Sequence, residues 1–385
     1  MRCYKQYQGE LNDLPEFSTL RIAWDNTSAG KDQAGTGTYA SHLLKHLRER
    51  PGLTFEVFEG PQRERPKSRI KRQIATARQL FWYHWHFPRS LRGRFDFFHG
   101  PAFFVPWRTP CPSVTTVLDL TPILFPHHFT FIARAYFRTA LPYALKHASA
   151  VFTISEHSRQ DLLKAYPIDP DKVHTVYPGV DHARFHPQVA LDLAWAEGVG
   201  IKKPYVLHVG TLFYRKNIPV LLRAIARMRD AGTWGDRQLV LGGAEMPELR
   251  GADDIYKTID ELKLKDLVVL TGRVPSQHLA GLYAGAEALV MPSLYEGFGF
   301  PVVEAMACGT PVLCSNVSSL PEVAGMAAIT FDPQNDATLA VHLERVLSDS
   351  KLREEMKRKG LEQARAFTWQ RAAEQTEAIY RKIVG

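Results

Sequence analysis

Ala288-Leu-Val-Met291-Pro-Ser-Leu-Tyr-Glu296-Gly297-Phe298-Gly299-Phe300-Pro301-Val-Val-Glu304-Ala-Met-Ala-Cys-Gly-Thr-Pro311-Val-Leu-Cys314 reads as a strand, a glycine-bearing loop, a helix and a second strand. Two short apolar runs on either side of a helix are the mark of a parallel strand–helix–strand unit. Pro301 suits the first helical turn, where a missing N–H costs nothing. Free amides at that helix start favour an anionic ligand, and Gly297 and Gly299 leave the backbone open to close approach. Glu296 precedes the loop and Glu304 lies near the second turn of the helix, so both carboxylates can face one ligand. Carboxylates accept from hydroxyls and amides donate to them, a combination suited to sugar hydroxyls. On spacing alone, a turn glutamate and an ordinary helix glutamate remain the competing reading.

The same alternation extends in both directions. Strands are expected at Leu20–Asp25, Thr54–Phe58, Phe95–His99, Ser113–Leu118 and Ala150–Ile154, with helical stretches between most of them. A glycine-rich turn, Gly35-Thr36-Gly37-Thr38, precedes a helix from Tyr39 to Leu47. The pattern stops near Tyr177-Pro-Gly-Val-Asp181 and resumes at Pro204-Tyr-Val-Leu-His-Val-Gly210, with later strands at Gln238–Gly242, Leu267–Thr271 and Ala328–Phe331. Helices at Leu339–Leu347, Lys351–Ala366 and Trp369–Val384 close the chain. The expectation is an α/β protein of two Rossmann-like, doubly wound domains facing a central cleft. Residues 1–184 would form the first half and 185–367 the second. The last stretch, 368–385, would cross back onto the first.

Composition agrees with a globular protein of that size. The chain has 385 residues, 45% hydrophobic and 23% charged, which excludes a disordered chain, a collagen-like repeat and a coiled-coil rod. No apolar run approaches the roughly 20 residues of a membrane span, and the start, Met1-Arg2-Cys3-Tyr4, lacks a signal-like apolar stretch. Four scattered cysteines offer neither a disulfide framework nor a metal pair, so a reduced, cytoplasmic protein is expected. The net charge of +8 comes from one place: nine Lys and Arg, and no acid, lie between Arg65 and Arg94. The aromatic residues among them, Phe81, Trp82, Tyr83, Trp85 and Phe87, suit an anionic membrane surface. The competing readings are single-stranded nucleic acid and plain packing into the first domain. Packing is the expectation for Trp82 and Trp85 individually, and no nucleic acid is expected as a partner.

The 292–311 stretch resembles the E-x7-E signature of the retaining glycosyltransferases of family four, which have the GT-B fold. Val209-Gly210-Thr211-Leu-Phe-Tyr-Arg215-Lys216-Asn217 resembles that family's phosphate loop, and Thr271-Gly272-Arg273-Val274 its nucleotide-base loop. Gly35-Thr-Gly37-Thr-Tyr39, Phe98-His-Gly-Pro101, Ile154-Ser-Glu-His-Ser158 and Tyr177-Pro-Gly-Val-Asp181 follow family landmarks in order, so the likeness runs over residues 20–384. An adjacent Arg-Lys pair by itself is more often a solvated surface. The resemblance instead implies that Arg215 and Lys216 neutralise the donor diphosphate. It implies that Gly210 and Thr211 shape that loop, and that Gly272, Arg273 and Val274 hold the base. Glu304 would take the ribose hydroxyls; Glu296 and the amides around Gly297, Phe298, Gly299, Phe300 and Pro301 would hold the sugar. Gly35 to Thr38 would approach the reacting centre with Tyr39 packed behind. The nucleotide-diphosphate sugar is a substrate, and neither cofactor nor metal is expected.

One position departs from the family pattern. Where a His-Asp pair usually ends a first-domain strand, this chain has Leu118-Asp119. Asp119 is the candidate catalytic group, as a protein base for the acceptor or as an orienting residue. The resemblance implies that this histidine lies towards the donor sugar's 6-hydroxyl; Leu118 cannot hydrogen-bond there, and leaving that hydroxyl unpaired costs roughly 1–3 kcal/mol, which favours a 6-deoxyhexose or pentose donor. His99, His127 or His128 moving in, or water, is the plainer alternative. Asp169-Pro-Asp171 matches a metal-binding D-x-D but reads as a turn. Gly35-x-Gly37 and Glu56 are a loose match to a nicotinamide fingerprint that leaves the second half unexplained. The reading is a GDP-, UDP- or dTDP-sugar transferase with a saccharide or lipid-linked saccharide acceptor, working in polysaccharide or glycolipid assembly at the inner face of the cytoplasmic membrane. The rivals are a sugar-nucleotide epimerase of the same fold and a membrane- or nucleic-acid-binding module.

Overall fold

The computed structural model describes residues 19–27, 35–59, 78, 81–103, 105–129, 131–202, 204–244 and 252–384. Two six-stranded sheets carry the chain. The first contains β1 (Leu20–Asp25), β2 (Leu53–Phe58), β3 (Phe97–Gly100), β4 (Ser113–Val117), β5 (Ala150–Thr153) and β6 (Val173–Thr175), in the order β2-β1-β3-β4-β5-β6. The second contains β7 (Tyr205–Val209), β8 (Gln238–Gly242), β9 (Val268–Gly272), β10 (Ala288–Met291), β11 (Val312–Ser315) and β12 (Ala328–Phe331), in the order β12-β11-β10-β7-β8-β9.

All the strand pairs are parallel. Parallel strands buried on both faces read as continuous apolar runs. β5, β10 and β11 are buried along their whole length, which is why those runs were legible in the sequence. In each sheet the strand order reverses once, between β1 and β3 and between β7 and β10. Such a reversal opens a crevice at the carboxyl ends of the two diverging strands.

Two local readings need correction. The Gly35–Thr38 stretch is not a separate turn: it is the first turn of a helix running from Gly35 to Arg48. Opening amides have no carbonyl upstream to bond, so the low helix propensity of Gly and Thr is least costly there. β6 was not expected, because three residues show no period. The chain crosses between the halves near Gly179 and again near Thr368, where Val180 N donates to Phe367 O at 3.2 Å. The final helix, Trp369–Val384, then packs on the Gly35–Arg48 helix. Arg50 pairs with Glu377 at 2.6 Å, and the buried Tyr380 hydroxyl meets His99 Nδ1.

Candidate functional site

The crevice of the second sheet holds the charged centre. β7 ends beside Gly210 and β10 beside the loop that carries Glu296. Asn217 joins the two: in a left-handed conformation (φ 53°), its amide nitrogen donates to Pro292 O at 3.1 Å and to Pro333 O at 2.6 Å. The short 3-10 turn before it, Tyr214–Lys216, therefore aims both cations at the loop. Arg215 Nη1 donates to Glu296 Oε2, and Lys216 Nζ to Glu296 Oε1, each at 2.6 Å. Ser293 Oγ adds a third hydrogen bond to Oε1 at 2.7 Å. Lys216 and Glu296 are both buried.

Burial alone would push the Glu296 carboxyl up. The Arg215 and Lys216 charges, with the bonds from Lys216 and Ser293, outweigh it and hold Glu296 well below the usual carboxylate range. Burial wins at Lys216, whose ammonium is easier to deprotonate than usual despite Glu296; at Arg215 burial is outweighed by the Glu296 and Asp119 charges together with the Glu296 hydrogen bond, and the guanidinium is held charged. The arrangement is a buried carboxylate clamped by two cations, with one net positive charge.

The first domain meets this centre at the end of β4. A Cβ at Gly297 would stand 2.4 Å from Leu118 O and 2.9 Å from Asp119 Cβ. What approaches Gly297 so closely is therefore the backbone of the opposite domain. Asp119 Oδ1 accepts from Thr121 N at 3.0 Å, and its charge acts on both Arg215 and Lys216. Leu118 is buried. His99 is committed to Tyr380 and, at 3.1 Å, to Thr116, and burial lowers its pKa to about 3, so it does not take the place of the missing histidine. His127 is exposed, and the side chain of His128 lies outside the described residues.

Farther along the same loop, a cleft opens between the halves. Arg273, Val274, Phe300 and Glu304 line it from the second domain, and Thr38 and Arg184 from across. Gly272 ends β9 with φ 64°, turning the chain toward Arg273. Thr211 follows Gly210 just beyond the end of β7. Phe298 is buried edge-on against Phe300, which lies 3.7 Å from where a Cβ of Gly35 would be. Gly299, at φ 107°, starts the Phe300–Ala307 helix, and Pro301 sits in its first turn. Thr36 and Gly37 continue the facing helix, and Tyr39 is buried behind them with its hydroxyl 3.4 Å from Thr116 Oγ1. Glu304 accepts from Tyr283 Oη at 2.9 Å. Burial raises its carboxyl to about 7, against the Tyr283 bond and the Arg184 charge, which pull it down.

Sequence reasoning did not single out Ser293, Asn217, Ser318, Ser319 or Arg184. Small polar residues in loops carry no period, and only Asn217, beside the Arg-Lys pair, and Ser293, in the 292–311 stretch, stood inside a recognised stretch. Asp169–Asp171 is a turn as expected, with Asp169 Oδ1 accepting from Asp171 N at 3.0 Å. Glu56 is exposed and pairs with Arg94 at 2.8 Å. Of the basic segment, residues 65–77 and 79–80 lie outside the described residues. Trp82 packs on Phe87. Trp85 does not follow the packing expectation: it is 44% exposed and joins Phe81 (53%) and Trp107 (42%) in a surface cluster. Its face of the Trp82–His86 turn points away from the core that takes Tyr83 and Phe87. Among the described residues no helix is long and apolar enough to cross a membrane.

Comparison with known proteins gives a consistent result. Residues 193–363 match the family described as Glycosyl transferases group 1, and residues 34–184 match Glycosyltransferase Family 4. The chain is 33% identical over 305 residues to the O-antigen chain mannosyltransferase B of Escherichia coli, covering 76% of each protein. It is 32% identical over 238 residues to the MMP alpha-(1->4)-mannosyltransferase of Mycolicibacterium hassiacum, covering 61% of this chain and 54% of that protein. Among solved structures, sucrose-phosphate synthase from Thermosynechococcus elongatus superposes with a TM-score of 0.75 at 21% identity, over 94% of this chain and 99% of that one. Anabaena HepE in complex with UDP and glucose superposes with a TM-score of 0.71 at 19% identity, over 94% and 100%.

Proposed function

Since the chain belongs to the family 4 glycosyltransferases, with the GT-B fold, we propose that it transfers a sugar, with retention at the anomeric carbon, from a nucleoside-diphosphate donor to a saccharide hydroxyl. The observation that carries this reading is the Glu296 clamp at the second sheet's crevice, with Asp119 facing it. A donor diphosphate brings its own anionic oxygens to Arg215 and Lys216. Glu296 is then released from part of its pairing and turns to the sugar hydroxyls. In the transfer, the acceptor oxygen bonds to the anomeric carbon as the bond from that carbon to the diphosphate oxygen breaks. The acceptor proton passes to the departing diphosphate, whose growing charge Arg215 and Lys216 stabilise. Glu304 and the Arg273–Val274 turn suit the ribose and base, and closure of the two halves excludes water. No metal or cofactor has a role in this scheme.

The relatives' names make a mannosyl donor the first to test. A second reading, a 6-deoxyhexose or pentose, is favoured by Leu118, an apolar side chain at the domain contact. The experiment incubates the purified protein with GDP-, UDP- and dTDP-hexoses and their 6-deoxy counterparts, with methyl glycosides as acceptors. Nucleoside diphosphate released only when acceptor is present separates transfer from epimerisation. The anomeric coupling constant of the product tests retention. Faster turnover of the hexose would remove the deoxy-sugar reading.

The surface of the first domain suits a lipid-linked saccharide acceptor presented at a membrane. Phe81, Trp85 and Trp107 form one exposed aromatic cluster, and Arg89, Arg92 and Arg108 are exposed on the same stretches of chain with no acid between residues 81 and 95. Aromatics with arginine suit an anionic lipid interface. Sedimentation with vesicles containing anionic lipid at low salt is expected, and loss of most of it in the Trp85→Ala, Trp107→Ala double variant. Equal sedimentation of that variant would set this reading aside.

A further inference from the structure

Ser319-Leu320-Pro321-Glu322 has the spacing of a capping box, in which a hydroxyl and a carboxylate close the start of their own helix. Neither does so here. Ser319 Oγ makes no cap bond; it lies 2.9 Å from Glu296 O and 2.8 Å from Phe298 O, in the loop after β10. Ser318, held in the left-handed region at φ 57°, accepts from Glu296 N at 3.0 Å through its hydroxyl. A glycine would adopt that backbone more readily but would have no oxygen to offer.

Glu322 leaves its own helix, Leu320–Ala324, and reaches the other domain. Its Oε1 accepts from Glu156 N at 2.9 Å and its Oε2 from His157 N at 3.1 Å. These are the first two amides of the Glu156–Ala165 helix, which have no carbonyl of their own helix to bond. The third, Ser158 N, is taken by the N-cap Ser155 Oγ at 3.0 Å. The opening of that helix is thus completed by a carboxylate from the donor-binding domain, placed where the helix dipole favours negative charge. The same helix reaches back to the loop: Ser158 Oγ donates to Gly297 O at 3.2 Å, and Asp161 Oδ2 accepts from Tyr295 Oη at 3.1 Å.

We propose that Glu322 is a positioning residue that couples docking of the acceptor domain to the shape of the loop holding Glu296. The Ser318–Glu322 stretch grips the loop within its own domain and the helix start in the other, so separating the domains breaks the Glu322, Ser158 and Tyr295 bonds and leaves the loop held from one side only. The inference rests on the reading of the Glu296 loop as the donor-sugar site.

The test compares wild type with Glu322→Ala and Glu322→Gln. Calorimetric titration with GDP, UDP and dTDP comes first, then amide hydrogen exchange of the segments 154–162 and 292–300, then turnover of the donor found in the panel above. In Glu322→Ala, exchange is expected to accelerate about tenfold or more in both segments. Its kcat should fall by about 10- to 100-fold, the scale of a misplaced reacting geometry. Its affinity for the nucleoside diphosphate should stay within about threefold of wild type, which also shows that the second domain is folded. Glu322→Gln, which keeps one acceptor oxygen, is expected in between. Acceleration confined to 154–162 with kcat unchanged would make Glu322 a cap only and overturn the proposal. Equal losses of kcat and nucleotide affinity would overturn it as well. If the wild type binds none of the three diphosphates, the donor-site reading fails, and the coupling with it.

Discussion

The two ends of the cleft hold one glutamate each and treat it in opposite ways. Glu296 is buried with two cations and a hydroxyl and is held ionised far below the ordinary carboxylate range. Glu304, on the helix that follows the same loop, has one tyrosine hydroxyl as partner and is raised to about 7. Burial penalises both, and the difference lies in the neighbours. At the Glu296 end the carboxylate already has its partners before any ligand arrives, so a ligand must exchange partners with what is there. At the Glu304 end the carboxylate is short of donors, and a pair of hydroxyls would supply them.

The largest effect expected from breaking this contrast is at Glu296. Removing one member of a buried, hydrogen-bonded ion cluster costs about 3–5 kcal/mol because the remaining charges are stranded. Glu296→Ala is therefore expected to lose that much stability in denaturant titrations without ligand. It should recover a larger share than wild type on adding the nucleoside diphosphate, whose oxygens replace the missing partner. The pH dependence has a definite sign. A carboxylate depressed in the folded state contributes fully above its unfolded value near 4.5, and loses that contribution as pH falls toward its folded value. Glu296→Gln should flatten the acid side of the stability profile. An unchanged acid limb would show that the cations are not held by this residue.

Next in size is Gly297, where the two domains meet. An alanine Cβ placed 2.4 Å from Leu118 O forces either the loop or the domain contact to move. Overpacking of this kind costs about 1–3 kcal/mol. Gly297→Ala is expected to enlarge the radius of gyration in small-angle scattering and to lower transfer more than nucleotide binding. A variant with wild-type dimensions and turnover would show that the contact yields without cost.

These residues also mark how far the sequence could be read. Arg215 and Lys216, an adjacent pair that alone reads as solvated surface, took their role from the family resemblance, whereas Glu296 and Glu304 could be singled out because strand, glycine and proline punctuation fixes where a loop and a helix start. The doubly wound sheets were visible for the same reason, through runs such as Ala288–Met291. Contacts made across the fold were not. Glu322 sits in a capping-box pattern that points to its own helix, yet its partners are amides about 165 residues earlier. The neighbour of Gly297 is a backbone oxygen of Leu118, which no spacing reveals. Trp85 shares its composition with Tyr83 and Phe87, and only the direction of a short helical turn leaves it outside.

The smallest effect sharpens the comparison at its other end. Because the Glu304 carboxyl is raised when folded, its contribution is fully present below the unfolded value of about 4.5 and is lost as pH rises toward about 7. Glu304 lines an open cleft, so water softens the penalty, and about 1–2 kcal/mol is expected across that window. Melting temperatures of the ligand-free protein should therefore show a component that declines between those pH values and is absent in Glu304→Gln. Donor hydroxyls that bond the ionised carboxylate would lower its pKa. Binding near pH 6.5 should then release part of a proton, read as a dependence of the calorimetric heat on the buffer's ionisation enthalpy. Release in wild type and none in Glu304→Gln would tie the ribose to this carboxylate. Equal heats in all buffers would place the hydroxyls elsewhere and leave Glu304 a partner of Tyr283 alone.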